Sequence, residues 1–263
     1  MKPLSILIIG DIAGKPGLRA LKQLFVRLVA EKEVDFTVAN GENIAGGMGI
    51  TKDLAGELFK LGINCVTTGN HVWRQFEIKG HIDHEPRLLR PLNFPSSQPG
   101  NGLGLYETAA GIKIGVINLA GRVFMDPADN PFFAAEAGLE KLKEAQIVLV
   151  DFHAEATSEK RAMGFYLEGR VTAVVGTHTH VQTADEQILG GKTAYITDIG
   201  MTGPHDSIIG MRKDIILDRF VNGMPHAFKL AKKGARLQAV LVQADPKTGH
   251  AVHIERIDIP LED

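Results

Sequence analysis

The chain has 263 residues, 44% of them hydrophobic and 23% charged, with a formal net charge of −2. That length supports a buried core without disulfides. The near-neutral balance argues against a broad nucleic-acid-binding surface, though not against a local pocket for an anionic substrate.

The first apolar run, LSILIIG (4–10), is continuous, as expected of a strand covered on both faces. It is too short to span a membrane and meets an aspartate rather than a small-residue cleavage site, so neither a spanning helix nor a signal peptide is expected. PGLRALKQLFVRLVAEKE follows with helical spacing at Leu18, Leu21, Leu24, Phe25, Leu28 and Val29, and Pro16 stands near its start. DFTVAN (35–40) predicts a second strand. TKDLAGELFKLG predicts a helix capped by Thr51 and stopped by Gly62. NCVTT (64–68) predicts a third strand, with Cys65 as a buried thiol. A lone cysteine makes no internal bridge, which points to the cytoplasm.

The segment 84–110, rich in proline, glycine and asparagine, reads as a long loop or small excursion rather than a domain linker. Further strands are expected at 112–119, 146–152, 171–175 and 193–199, and helices near 132–145, 155–168 and 213–223. The second of these helices would be capped by Thr157 or Ser158. Two alternating runs around DPKTG predict a terminal hairpin. Strand and helix in alternation give an α/β fold, read as one domain over 1–263.

Polar residues recur where the apolar strands end: Gly10-Asp11, then Asn40-Gly41-Glu42-Asn43, Gly69-Asn70-His71, Asp151-Phe152-His153 and Gly176-Thr177-His178-Thr179-His180. Each has an ordinary explanation. Asp11 suits a helix cap, Glu42 and Asn43 a loop, Asn70 and His71 a turn, and a single histidine is more often structural than functional. Together they argue for one shared site, because α/β sheets bind ligands beyond the carboxyl ends of their strands. Imidazoles mixed with carboxylate and amide oxygens suit a transition metal, and the lack of cysteine ligands disfavours structural zinc. The donors exceed what one tetrahedral ion needs; two ions about 3.5–4 Å apart would use them all and would suit displacement at phosphorus. In an extended segment residues i and i+2 share a side. His178 and His180 are therefore expected to face one centre, with Thr179 turned away and Gly176 letting the backbone bend close.

GDIAGKPG, ANGENIAGGMGIT, TTGNHVW, LLRPLNFP, DFHAEATSEK, VVGTHTHVQTADE and YITDIGMTGP, collinear between residues 10 and 204, resemble the calcineurin-like metallophosphoesterases, and within them the bacterial YmdB-type cyclic-nucleotide phosphodiesterases. The resemblance implies a sandwich of two mixed β-sheets flanked by helices. It implies a two-metal centre, of iron or manganese, and a small phosphodiester substrate such as a 2′,3′- or 3′,5′-cyclic nucleotide. Carried over position by position, Asp11, Asn43 and His180 bind one metal, Asn70, His153 and His178 bind the other, and Glu42 bridges them. His71 is the general acid. Two departures from the wider superfamily, Ala13 in place of a histidine and Glu42 in place of an aspartate, harden the shell of the first metal and favour iron or manganese over zinc.

Other polar residues carry weaker expectations. Asp151 is either an outer acceptor for a ligand histidine or a strand-end cap. Arg87, Arg90 and Arg122 suit phosphate or ribose contacts, with surface ion pairs favoured for each. His81 and His84 read as surface residues, His205 as a weak pocket candidate, and His226, His250 and His253 as structural or exposed. AGGMG (45–49) is flexible enough for a lid. The alternatives are a phosphomonoesterase with the same metals, or a regulatory protein that binds a cyclic nucleotide, RNA or a protein partner. A homo-oligomer is expected only from the general frequency of symmetric enzymes.

Overall fold

The computed structural model describes residues 2–262. In chain order the elements are β1 (Leu4–Ile9), β2 (Asp11–Ile12), α1 (Gly14–Glu31), β3 (Phe36–Asn40), α2 (Lys52–Leu61), β4 (Cys65–Thr67), β5 (Leu88–Leu89), β6 (Leu103–Glu107) and β7 (Lys113–Ala120). They continue with α3 (Pro131–Lys141), β8 (Ile147–His153), α4 (Thr157–Tyr166), β9 (Ala173–Thr177), β10 (Gln187–Leu189), β11 (Thr193–Ile196), β12 (Met201–Pro204), α5 (Lys213–Asn222), β13 (Ala235–Ala244) and β14 (Ala251–Pro260).

The strands form two mixed sheets. The first has eight strands, in the order β2-β12-β13-β1-β3-β4-β5 with β14 beside β13; the second has six, β10-β11-β9-β8-β7-β6. Strands β1, β3, β4 and β5 run parallel, as do β2 and β12 and, in the second sheet, β7, β8, β9 and β11, while β13, β14, β6 and β10 pair antiparallel with their neighbours. Parallel neighbours need crossover connections, which put helices on the outer faces and leave the turns that follow the strands together at one edge.

The alternation of β1 shows how the layers are held. Leu4, Ile6 and Ile8 point between the sheets with Phe36 and Val38, against Val116, Leu149 and Val175 of the second sheet. Leu7 and Ile9 point the other way, onto Leu21 and Phe25 of α1 and Leu58 of α2. On the far side of the second sheet, Ile117, Val150 and Phe152 pack with Ala135 of α3 and Met163 of α4. Each large aliphatic side chain so buried contributes about 1.5–3 kcal/mol. Cys65 lies fully buried in the layer between the sheets, and burial pushes its thiol up to about 12.

Several local expectations hold. Thr51 Oγ1 accepts from the Leu54 N–H at 3.3 Å, and Gly62 closes α2 in the left-handed conformation at φ 109°. The tail forms the β13–β14 hairpin. Others need correction. The segment 84–110 contains β5 and the edge strand β6, which pairs antiparallel with β7 from Leu103↔Ile117 to Glu107↔Lys113. Neither β2 nor β12 was expected; two to four residues show no period, and their pairing of Met201 with Asp11 is set across the sheet. Strand β11 stops at Ile196, short of 199. The N-cap of α4 is Ala156, with no side-chain cap bond, so neither Thr157 nor Ser158 serves. Among the described residues no helix is long and apolar enough to cross a membrane.

Candidate metal centre

The eight residues singled out for the site all lie at the strand ends of one edge. Asp11 opens β2, Glu42 and Asn43 follow β3, Asn70 and His71 follow β4, His153 closes β8, and His178 and His180 follow β9. The structure brings them together from both sheets. His153 Nε2 is 3.2 Å from Glu42 Oε1, 3.2 Å from Asn70 Oδ1 and 3.1 Å from His178 Nδ1. Donor atoms of Glu42, His153 and His178 lie within 4.8 Å of one another. Beside this group His180 Nε2 stands 3.7 Å from Asp11 Oδ1 and 3.1 Å from Asn43 Nδ2. His71 Nδ1 is 2.8 Å from Asn43 Oδ1 and 3.3 Å from Glu42 Oε1, which leaves Nε2 as the nitrogen free for a ligand.

The donor set fits metal ions. Asp11 Oδ1 is buried with no hydrogen-bond partner, a costly state for a carboxylate unless a cation faces it. Nor does Asp11 cap α1, whose N-cap is Ala13; its Oδ2 instead accepts from the His178 N–H at 3.2 Å. Burial would raise the carboxyls of Asp11 and Glu42, yet their histidine neighbours hold both below the usual range, Glu42 well below. Burial would likewise lower His153 and His180. Glu42 raises His153 instead, and Asp11 raises His180 to about 9. His178 alone goes down, to about 3, through burial and the nearby His153. Charged carboxylates and raised imidazoles together describe a pocket that favours positive charge.

A ring of outer contacts orients the histidines, as metal-binding imidazoles require. The Thr177 hydroxyl donates to Asp151 Oδ1 at 2.7 Å and lies 2.8 Å from His153 Nδ1, so that Nδ1 carries the proton and Nε2 faces the centre. Asp151, raised to about 6 by burial, thus acts on His153 through a hydroxyl, and it also accepts from Asn40 Nδ2 at 3.1 Å. Glu155 Oε2 sits 3.1 Å from His178 Nε2 and leaves Nδ1 to the centre. Gly69 explains why Asn70 and His71 are preceded by glycine. A Cβ there would stand 2.2 Å from His153 Cδ2 and 2.3 Å from Glu42 Oε2.

The expected geometry of His178 and His180 needs correction. They are not in an extended segment: β9 ends at Thr177, and their φ angles are +95° and +64°. Such angles cost a non-glycine residue about 1–3 kcal/mol each and need surrounding structure to hold them. Here that structure is the buried Asp198. It accepts from the Thr179 N–H at 3.0 Å, the Thr179 hydroxyl at 2.6 Å, the Gly200 N–H at 2.8 Å and the Lys160 ammonium at 2.7 Å. Lys160 is itself buried. Gly176 has a different reason from the one expected: a Cβ would meet the Thr197 carbonyl oxygen at 1.8 Å, so the glycine lets the backbone at Thr197 pack close.

A cleft of about 600 Å³ opens over the centre, lined by Glu42, Asn43, His71, Glu155, His178 and His180 on one side. None of the three candidate arginines lines it. Arg90 is buried and donates to the carbonyls of Pro91 (2.7 Å), Gln98 (3.3 Å) and Pro99 (3.0 Å). Arg87 pairs with Glu85 at 2.8 Å and covers the Phe59 ring. Arg122 is exposed, and its backbone N–H donates to Glu159. The arginine at the cleft is Arg219, which sequence reasoning missed. His205 Nε2 is spent on the Met201 carbonyl at 2.9 Å. His81 is half-buried, whereas His84 and His253 are exposed, and His226 pairs with Asp218. The 45–49 turn closes on itself through Ala45 N–H to Gly49 O at 2.9 Å and places Gly47 and Met48 on the cleft rim.

Two mixed sheets under helices, with histidines, carboxylates and amides meeting at their shared edge, define the metallophosphoesterase class. Within it the chain belongs to the YmdB-like protein family, whose model matches residues 7–257. It is 47% identical over 253 residues to the Bacillus subtilis 2′,3′-cyclic-nucleotide 2′-phosphodiesterase, covering 96% of each chain. The crystal structure of a phosphatase from Mycoplasma pneumoniae superposes with a TM-score of 0.93 at 34% identity, over 99% of this chain and 95% of that one. A 5′-nucleotidase precursor from Thermus thermophilus shares the fold alone, with a TM-score of 0.56 at 13% identity over 98% of this chain and 54% of that one.

Proposed function

We propose that the protein is a metal-dependent phosphodiesterase that opens cyclic nucleotides, 2′,3′-cyclic monophosphates foremost and 3′,5′-cyclic monophosphates with the same machinery. The observation that carries the reading is the convergence of seven nitrogen and oxygen donors beneath a cleft whose wall includes His71. The 47% identical relative named as a 2′,3′-cyclic-nucleotide 2′-phosphodiesterase supports the substrate class.

In this reading Asn70, His153 and His178 would hold one ion, Asp11, Asn43 and His180 would hold a second, and Glu42 would serve both. Mixed nitrogen and hard oxygen donors favour iron or manganese. Such ions, when bound, lower the pKa of an attacking water and neutralise charge on the phosphoryl oxygens. The chain's own residues do the rest. Asp151, Thr177 and Glu155 keep the imidazoles turned inward. Asn43 and Glu42 take up His71 Nδ1 and so fix its ring. Water adds to phosphorus and loses a proton to solvent, the P–O2′ bond breaks with its electron pair on O2′, and His71 gives that oxygen a proton and regains one from solvent, leaving a nucleoside 3′-phosphate.

The test is hydrolysis of 2′,3′-cyclic AMP by metal-stripped protein with Mn²⁺ or Fe²⁺ restored, beside His71→Ala. The expected result is metal-dependent turnover that falls by about 10²–10⁴ in the variant at unchanged metal content. Stoichiometric metal binding with no turnover of any cyclic phosphate would refute the proposal. Preference for a phosphomonoester over the cyclic diester would move the assignment to a phosphatase.

A further inference from the structure

We infer that the excursion between β12 and β13 is a nucleobase platform, on which Phe220, Phe228 and Arg219 receive the base of the substrate by stacking. This rests on the phosphodiesterase reading of the metal centre.

The cleft has two chemically distinct sides. Besides the donors it is lined by Met48, Ile209, Ile216, Phe220 and Phe228, with Arg219 as a further charged group. All but Met48 lie in the excursion, which has a built stem. His205 N–H donates to Gly234 O at 2.9 Å, Arg212 N–H to Lys229 O at 2.8 Å, and Ala231 N–H to Gly210 O at 2.8 Å. One contact ties it to the centre itself: His180 Nδ1 is 3.0 Å from the Ile209 carbonyl oxygen. The platform is thereby held in place relative to a proposed metal ligand.

On α5, Ile216 is buried, and Phe220, one turn further on the same face, is 76% exposed. Phe228 is 46% exposed, and the Arg219 guanidinium lies over its ring at 4.9 Å. Asp218 meets both Asn222 and His226 and folds the following loop back against the helix. Exposed aromatic rings gathered beside a polar catalytic cleft mark a ligand surface. Bases stack on aromatic faces and on arginine planes. The phosphate end of a cyclic nucleotide belongs with the donors, and the base is the part that matches the apolar side. Methionine, isoleucine and phenylalanine side chains offer no groups for pairing with a base edge, and the Arg219 guanidinium is engaged over the Phe228 ring. The platform therefore takes any base, since every base has a π-face.

The test uses Phe220→Ala, Phe228→Ala and Arg219→Ala in the Mn²⁺-loaded protein. Substrates are the four 2′,3′-cyclic nucleotides and methyl riboside 2′,3′-cyclic phosphate, which lacks a base. The expected result is that kcat/KM for the nucleotides, relative to the baseless diester, falls about five- to 150-fold through KM, equally for all four bases. A second readout needs no turnover: quenching of 2-aminopurine riboside 3′-phosphate fluorescence on binding, present in the wild type and weakened in each variant. Equal losses on nucleotide and baseless substrate, strong discrimination among the bases, or undiminished quenching in the variants would overturn the platform. Wild-type protein that turned over neither kind of cyclic diester would overturn the phosphodiesterase reading, and the quenching assay would still decide the platform separately.

Discussion

The Asp198 clamp makes a prediction that separates charge from geometry. Asp198→Ala alone leaves the Lys160 ammonium buried without its carboxylate, and should cost about 3–5 kcal/mol of stability. That loss would say little about the histidines. Two double variants remove the charge first. In Lys160→Met/Asp198→Asn the amide oxygen can still accept from the Thr179 N–H, whereas Lys160→Met/Asp198→Ala has no acceptor there. The second then orphans the N–H groups of Thr179 and Gly200, at about 1–3 kcal/mol each. It also releases φ angles of +95° at His178 and +64° at His180, whose strain is about 1–3 kcal/mol each. Relaxation of that strain takes the imidazoles away from the centre. The amide oxygen keeps one of those two N–H groups paired, and the strain relief offsets part of the loss, so denaturant unfolding should place the alanine double variant below the asparagine one by no more than about 1–3 kcal/mol, and metal analysis after dialysis should find it depleted. Equal metal content in the two variants would refute the claim that Asp198 holds the histidine loop.

Three further outcomes are expected. Gly69→Ala should lower metal content and reduce turnover by about 10²-fold, because a side chain 2.2 Å from His153 Cδ2 must displace a ligand by roughly 1 Å; activity assays with metal analysis check it. Arg90→Met should lower the unfolding midpoint by the equivalent of several charged hydrogen bonds, about 1.5–3 kcal/mol each, with no change in KM, since Arg90 binds three carbonyls and no part of the cleft. Cys65 should resist a thiol reagent at pH 8 in the folded protein and react fully in denaturant. Its pKa, pushed up to about 12 by burial, keeps it protonated until the pH approaches that value.

Much of the fold was legible because the central strands are buried on both faces and read as unbroken apolar runs. The site's residues were legible for a related reason: in LSILIIGD, DFTVANGEN and QIVLVDFH a polar group abruptly ends such a run. The parts that escaped are set by partners distant in sequence. Strand β2 exists through its pairing with β12, and no local pattern foretells a two-residue strand. Asp198 lies 19 residues from Thr179, and nothing local in DFHAEATSEK marks Glu155 as a partner of His178. The extended reading of THTH failed because its alternation mimics a strand, while the backbone turns left-handed at both histidines. Arg219, in the mixed helical stretch DIILDRFVN far along the chain, carried no signal that it would face the cleft.

Each proposed ion draws its donors from both layers of the sandwich: Asn70 and Glu42 with His153 and His178, Asp11 and Asn43 with His180. On that reading, metal uptake rivets the two sheets along one seam. A ligand bound only by the native state adds about 2.7 kcal/mol at a hundredfold excess over its dissociation constant. The protein's lifetime in a cell would then follow its metal supply: a chain starved of iron or manganese would gape along that seam and fall to proteolysis, besides being inactive.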